Sequence, residues 1–63
     1  MEKNKFREWA RQNNLTAAEI AERIGVSKYT VYAYFRGERL PSRNAEKRME
    51  TELGIDTRRM FGR

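Results

Sequence analysis

One face of segment 28–36 carries side chains that suit non-covalent recognition of a polyanion. At the helical spacing of about 100° per residue, this face presents two cations, two phenol rings and one methyl group, and it lacks a carboxylate. Its members are Lys28, Tyr29, Tyr32, Ala33 and Arg36. Cationic groups donate to guanine edges and phosphates, and apolar groups pack on thymine methyls. The pattern is therefore typical of a helix that lies in a major groove.

Covalent catalysis and metal binding lack the residues that they need. The chain has no Cys and no His, which excludes disulfides and the common zinc ligand sets. Ser27 and Ser42 have no His base, and the nine carboxylates are spaced mainly as i, i+3 or i+4 partners of Arg and Lys. We predict a protein that is not an enzyme and that uses no metal, cofactor or small-molecule ligand.

The length and the charge of the chain narrow its class further. With 63 residues, positions 1–63 are expected to form one domain, because domains rarely fall below about 50 residues. Lys and Arg outnumber Asp and Glu by 14 to 9, a net charge of +5, and ten of the cations are Arg. The planar fork of Arg matches phosphate and guanine. No apolar stretch approaches the roughly 20 residues of a membrane span, so a cytoplasmic protein without a membrane partner is expected.

Four or five short helices are predicted, and capping residues set their limits. Thr16 and Glu19 form a capping box, Ser27 and Ser42 are further N-cap candidates, and Asp56 is a candidate for the last helix. The predicted helices span residues 4–13, 17–24, 28–36, 43–53 and 57–61. Apolar periodicity then selects the core, which we predict from Phe6, Trp9, Ile20, Ala21, Ile24, Val26, Val31, Tyr34, Met49, Leu53 and Ile55.

The connection between the second and third helices is the strongest structural signal. It consists of Gly25, Val26 and Ser27 alone, so the two helix axes must cross sharply, as in a helix-turn-helix. Glycine suits a positive φ at the end of the second helix, and Val26 is placed to fill the angle between the helices. Segment 28–36 is then the candidate recognition helix.

Residues 15–27, with the sequence LTAAEIAERIGVS, resemble the helix-turn-helix core of Cro/CI-type phage repressors and their bacterial XRE relatives. The continuation over residues 28–38 also fits, and the likeness extends more weakly through residues 41–42 and 47–50 to residues 53–55. It implies an all-α fold of four to five helices, a lambda-repressor-like DNA-binding domain. It also implies that the chain binds operator DNA as a homodimer, on two half-sites about one helical turn apart.

The resemblance also implies roles for individual residues. Base contacts are expected from Lys28, Tyr29, Tyr32 and Ala33. Phosphate contacts are expected from Thr16, Ala17, Ser27, Arg36, Arg39 and Arg43. The resulting prediction is a sequence-specific transcriptional repressor from a phage, a mobile element or a bacterial regulatory pair, located on the nucleoid of its host.

Departures from the family pattern keep two alternatives open. Ala17 stands where the family commonly has Gln, Glu46 replaces a residue that is usually apolar, and the tail 57–63 is short and basic. The first departure weakens a phosphate anchor, and the other two weaken the expected dimer. One alternative is a protein-interaction module, like an antitoxin or antirepressor. The other is an architectural DNA binder of the excisionase type.

Overall fold

Six helical elements follow one another along residues 5–61, the part of the chain that this computed structural model describes. The α-helices are α1 Phe6–Gln12, α2 Ala17–Ile24, α3 Lys28–Arg36, α4 Arg43–Arg48 and α5 Thr57–Phe61, and a π-helical turn, Met49–Leu53, follows α4 directly. Residues 5–61 contain no strand, which confirms the predicted all-α class. The predicted start of the first helix at residue 4 lies outside the described residues, as do residues 62 and 63.

Polar side chains begin four of the five α-helices, as predicted. In each case a side-chain oxygen accepts a hydrogen bond, 3.0 to 3.2 Å long, from a backbone N–H two or three residues further on. The four capping residues are Thr16, Ser27, Ser42 and Asp56. Because the first N–H groups of a helix have no partner within it, each cap stabilises its helix by about 1 kcal/mol.

A left-handed residue ends α2 and sets the angle of the next helix. Gly25 has φ 75°, and the N–H groups of Gly25 and Val26 both donate to the carbonyl of Ala21, at 2.8 and 3.0 Å. This arrangement reverses the chain within three residues before Ser27 begins α3. Val26 is half-buried against the core. The predicted sharp turn between the second and third helices is therefore present.

The fourth predicted helix is not one regular α-helix. The predicted span of residues 43–53 is α-helical only through Arg48, and Met49–Leu53 forms a wider π-helical turn before Gly54 ends it. Met49 is fully buried, and Leu53 packs against the core from a half-buried position. Apolar residues four positions apart lie on one side of either helix type, so their spacing does not distinguish the two.

Phe6 lies at the centre of the core and joins three helices. It is fully buried, and its ring contacts four other aromatic rings at centroid distances of 5.2 to 6.5 Å. The four rings are those of Trp9, Tyr34, Phe35 and Phe61. The N–H of Lys5 also donates to the carbonyl of Met60 at 3.0 Å. The beginning of α1 is thus fastened to both α3 and α5.

The predicted core needs one correction and several additions. Phe61 belongs to the core, although the tail 57–63 was interpreted as a basic segment. The sequence prediction also omitted Ala17 and Ala45, which are buried, whereas Ala10, which lies on the predicted apolar stripe of the first helix with Phe6 and Trp9, is buried as expected. Trp9, Val26 and Leu53, which were predicted as core, are half-buried and pack against it. Within residues 5–61, no helix combines the length and the apolar character that crossing a membrane requires.

We expect Phe6→Ala to lower the free energy of unfolding by about 3–5 kcal/mol, because it removes a ring that four others contact and leaves a cavity. Phe6→Leu keeps part of the volume and should lower it by less. Urea unfolding followed by circular dichroism measures both. The control is Tyr29→Ala, an exposed position where a change within about 0.5 kcal/mol is expected. A loss below about 1 kcal/mol for Phe6→Ala would show that Phe6 is not central.

Candidate nucleic-acid interface

The core holds α3 by one side only. Val31 is fully buried, Tyr34 is 3% exposed, and Thr30 and Phe35 are half-buried. The opposite side, which we call the outward face of α3, consists of Lys28, Tyr29, Tyr32, Ala33 and Arg36. On it, Tyr29 is 71% exposed and Tyr32 is 43% exposed, whereas Ala33 is half-buried. The division of the helix into two sides is the one that the sequence predicts.

The two tyrosines of the outward face are held differently. The ring of Tyr32 meets the ring of Phe35 edge to face at 6.4 Å, and Phe35 in turn contacts Phe6. Tyr29 lies near the start of the helix, and the Lys28 ammonium is 5.6 Å from the centre of its ring. An ammonium group is attracted to the face of an aromatic ring at this distance. Tyr32 is thus supported by the core, whereas Tyr29 and Lys28 form a solvent-exposed pair.

The beginnings of α2 and α3 differ in charge. At α2, the Glu19 carboxylate accepts hydrogen bonds from the Thr16 N–H at 2.9 Å and from the Thr16 hydroxyl at 3.2 Å. These bonds hold the pKa of Glu19 below its ordinary value of 4.5, so a negative charge stands at this helix end at neutral pH. The first turn of α3 contains no acid. The partial positive charge of a helix N-terminus is therefore less compensated at α3 than at α2.

This difference bears on three residues that were predicted to contact phosphate. The Thr16 hydroxyl donates to Glu19, and the Ala17 side chain is buried, so at α2 only backbone N–H groups beside a carboxylate face an incoming phosphate. The Ser27 oxygen accepts from the Thr30 N–H at 3.2 Å and shares a hydrogen bond of 3.1 Å with the Thr30 hydroxyl. The hydroxyls of Thr16 and Ser27 therefore serve first as helix caps. The N–H groups of Lys28 and Tyr29 precede the first hydrogen bond within α3.

The three arginines after the outward face have different surroundings. Arg36 forms an ion pair with Glu38, with Arg36 Nε and Glu38 Oε2 3.1 Å apart. Arg43 lines a surface depression together with three carboxylates, those of Glu46, Glu50 and Asp56. Arg39 is exposed, and no carboxylate of residues 5–61 lies within ion-pair distance of it. Its charge acts on the buried Tyr34 and partly opposes the rise in the Tyr34 pKa that burial causes.

Two residues of this region were missed by the sequence interpretation. Glu38 lies beside Arg36 only because Gly37 turns the chain with φ 75°, and a helical wheel ends before that turn. Arg48 lies over the turn between α2 and α3, with Nη1 3.8 Å from the point where a side chain at position 25 would begin. Arg48 lies 23 positions after Gly25 in the sequence, and no local pattern connects these two residues. For Glu38 one local signal was available: a glycine that ends a helix turns the chain back, which can bring the residue after it close to the last residue of the helix.

The family comparison agrees with this geometry. The sequence model of the family described as Helix-turn-helix matches residues 5–59. The match covers most of the chain, so the chain belongs to this helix-turn-helix family, and the predicted relation to Cro/CI-type, XRE proteins is confirmed. The family is one of DNA-binding domains of the transcription-regulator type and is not an enzyme family. No curated protein and no solved structure matches the chain.

The described residues contain no cluster suited to a metal. Among residues 5–61, no three or more His, Cys, Asp or Glu side chains are arranged to hold a metal ion. The side chains of the outward face offer hydrogen bonds, positive charge and apolar contact.

We expect the capping carboxylate of α2 to make stability depend on pH. The pKa of Glu19 is lower in the folded state than its ordinary value of 4.5. The stabilisation from its carboxylate is therefore fully present above about pH 4.5 and is lost as the pH falls through the folded-state pKa. Glu19→Gln should therefore be less stable than the parent chain at pH 7, and the difference should disappear in acid. Urea unfolding at a series of pH values measures it.

Glu22→Gln is the matched control, since it removes a carboxylate from an exposed position of the same helix outside the capping box. A pH-independent loss in Glu19→Gln would mean that the carboxylate charge does not stabilise the beginning of α2.

Proposed function

We propose that the chain binds double-stranded DNA with sequence specificity and acts as a Cro-like transcriptional repressor. In this proposal α3 lies in the major groove, and two copies bind half-sites about one helical turn apart as a homodimer, at least on DNA. The observation that carries the proposal is the outward face of α3, where two exposed rings lie among exposed cations on a helix without an acid. Membership of the helix-turn-helix family supports the same function.

The outward face supplies groups for direct reading of bases. Lys28 lies in the first turn of α3 and is exposed, so its ammonium is placed to donate to guanine O6 and N7. Tyr29, Tyr32 and Ala33 offer apolar surface to thymine methyls, and the phenol hydroxyls offer hydrogen bonds. Because Tyr32 is supported by Phe35, its ring has fewer rotamers to lose on binding than the ring of Tyr29.

Phosphates would be bound on either side of these base contacts. The proposed phosphate-binding residues are Thr16, Ala17, Ser27, Arg36, Arg39 and Arg43. We rank Arg39 and the beginning of α3 at Ser27 first, because among residues 5–61 Arg39 forms no ion pair and the first turn of α3 has no acid. Arg36 and the beginning of α2 each hold one carboxylate, and Arg43 shares a surface depression with three; a carboxylate near a phosphate weakens its binding.

Repression would follow from occupancy alone. Two copies on adjacent major grooves would cover promoter elements and exclude RNA polymerase, with no ligand or cofactor needed to start or end it. In this proposal the protein resides in the cytoplasm, and its net charge of +5 favours association with the host nucleoid. Its source would be a phage, a mobile element or a bacterial regulatory pair.

The exposed apolar groups also support a second class of function, a protein-interaction module. Tyr29, Tyr32 and Leu40 are 71%, 43% and 53% exposed, and large exposed apolar residues often mark protein contacts. The cations on the same face favour DNA over a protein partner. An architectural DNA binder would share the charge but show little preference among sequences.

We expect selection from a randomised duplex library to yield a motif with two related halves. Tyr29→Ala should relax the preference at particular base pairs, because its ring reads bases. Arg39→Ala should leave the motif unchanged and flatten the log–log salt slope of binding by about 0.9, one lost phosphate contact. Electrophoretic or anisotropy titrations over a range of salt measure both.

Arg11→Ala is the matched control, because it removes an exposed arginine in the last turn of α1 that has no assigned contact. Binding that is indifferent to sequence in every variant would contradict the repressor and favour the architectural role. Absence of DNA binding would favour the interaction module.

We further expect the selected duplex to depend on thymine methyls. Replacing single thymidines with deoxyuridine removes only the methyl, and at a contacted position affinity should fall about fourfold, from about 0.8 kcal/mol per buried methyl-sized group. The loss should shrink in Tyr29→Ala or Tyr32→Ala at the thymine that each ring contacts. Equal losses in both variants and in the parent chain at every thymine would contradict apolar reading by the two tyrosines.

A further inference from the structure

The end of α3 fixes the position of a carboxylate next to the outward face. The N–H of Gly37 donates to the carbonyl of Tyr34 at 3.1 Å, and the N–H of Glu38 donates to the carbonyl of Ala33 at 3.0 Å. These two bonds form the Schellman motif that ends a helix. The backbone of Glu38 is therefore fastened to the last turn of the same helix that carries Arg36.

The side chains of Arg36 and Glu38 meet through two contacts. Arg36 Nε lies 3.1 Å from Glu38 Oε2, and Arg36 Nη2 donates to Glu38 Oε1 at 3.1 Å. Both side chains remain more than half exposed, at 55% and 60%. The contacts raise the pKa of Arg36 and lower that of Glu38, so both groups are charged at neutral pH. The carboxylate thus occupies one whole edge of the guanidinium.

A phosphate that binds side-on to Arg36 would need the same edge, and while the pair is closed only the end-on edge of Nη1 and Nη2 stays open to it. Guanidinium groups bind phosphates and carboxylates in the same way, through two parallel N–H donors. Arg36 cannot offer Nε and Nη2 to a phosphate while Glu38 holds them, and a phosphate beside the intact pair is repelled by the carboxylate. Side-on binding of Arg36 to a phosphate therefore requires the pair to open, and a phosphate at the end-on edge is weakened by the nearby carboxylate.

We propose that Glu38 is a specificity-determining residue of the DNA interface. Its carboxylate keeps the Nε–Nη2 edge of Arg36 from phosphates on non-specific DNA and weakens binding at the other edge, and only the selected operator draws the Nε–Nη2 edge onto a phosphate. This inference rests on the proposed function. A helix seated by base contacts holds Arg36 steadily beside one phosphate, whereas on non-specific DNA the chain slides and hops.

The strength of an exposed pair suits this role. Exposed ion pairs of this kind change an equilibrium about two- to fivefold. A change of that size matters for weak non-specific binding. The affinities of specific and non-specific complexes differ by a factor on the order of 10³ or more. A change of about two- to fivefold is small beside that factor, so binding to the operator can open the pair.

The test is a double-mutant cycle of Glu38→Gln, Arg36→Gln and the double variant against the parent chain. Each protein is titrated over a range of salt with two probes, the duplex selected from the library and a duplex of random sequence. Glu38→Gln keeps the backbone N–H that donates to Ala33, so the end of α3 is retained. Thermal unfolding of all four proteins checks that the fold is intact.

We expect Glu38→Gln to raise affinity for the random duplex about two- to fivefold and to steepen its salt slope by about 0.9. Affinity for the selected duplex should rise less, so the ratio of the two affinities falls. In the Arg36→Gln background the same change should have much less effect, because the guanidinium it releases is absent. Glu22→Gln, which removes a carboxylate from α2, should not reproduce the loss of specificity.

Equal effects of Glu38→Gln in both Arg36 backgrounds would overturn the inference, since they would show general repulsion by a negative charge. An unchanged affinity ratio would overturn it as well. Failure of the proposed function looks different, because no duplex would then outcompete random DNA for the parent chain itself. A Glu38 carboxyl whose pKa, followed by NMR, does not rise in Arg36→Gln would show that the pair is absent in solution, which also overturns the inference.

Discussion

The packing of Phe6 against four aromatic rings is the interaction on which the rest of the structure depends. A chain of 63 residues with 37% charged residues has little apolar material, and one fully buried ring joins the beginning of α1 to α3 and α5. Through Tyr34 and Phe35 the same ring fixes the rotation of α3 about its axis. That rotation decides which side chains of α3 reach solvent, so the small core determines the surface that we propose for DNA binding.

The charge varies along the surface around α3. The helix itself has no acid, whereas the beginning of α2 carries the capping carboxylate of Glu19 and the end of α3 carries Glu38. Along α3 the cations therefore stand without a carboxylate of the same helix, and negative charges lie at the beginning of α2 and just beyond the end of α3. A net charge of +5 attracts phosphate backbones in general, and in our proposal the flanking carboxylates restrict that attraction.

Much of the fold was predictable from local signals, because those signals act within a few residues. Thr16, Ser27 and Ser42 are separated by three positions from the N–H groups that they cap, and Gly25 and Gly37 end helices through a backbone geometry of their own. The spacing of Val31 and Tyr34 likewise predicted the buried side of α3. The π-helical turn after Arg48 was not predictable, since Met49 and Leu53 keep the same spacing in either helix type.

The sequence by itself determined the all-α class, the sharp turn and the acid-free face of α3, since composition, capping and periodicity are properties of neighbouring residues. Only the tertiary structure decided that Phe61 closes the core, that Arg48 lies over Gly25, and that Arg36 is held by Glu38 while Arg39 is not. Those relations join residues far apart in the chain or lie across a turn. They depend on how helices are placed in space, and no periodicity along one helix specifies that placement.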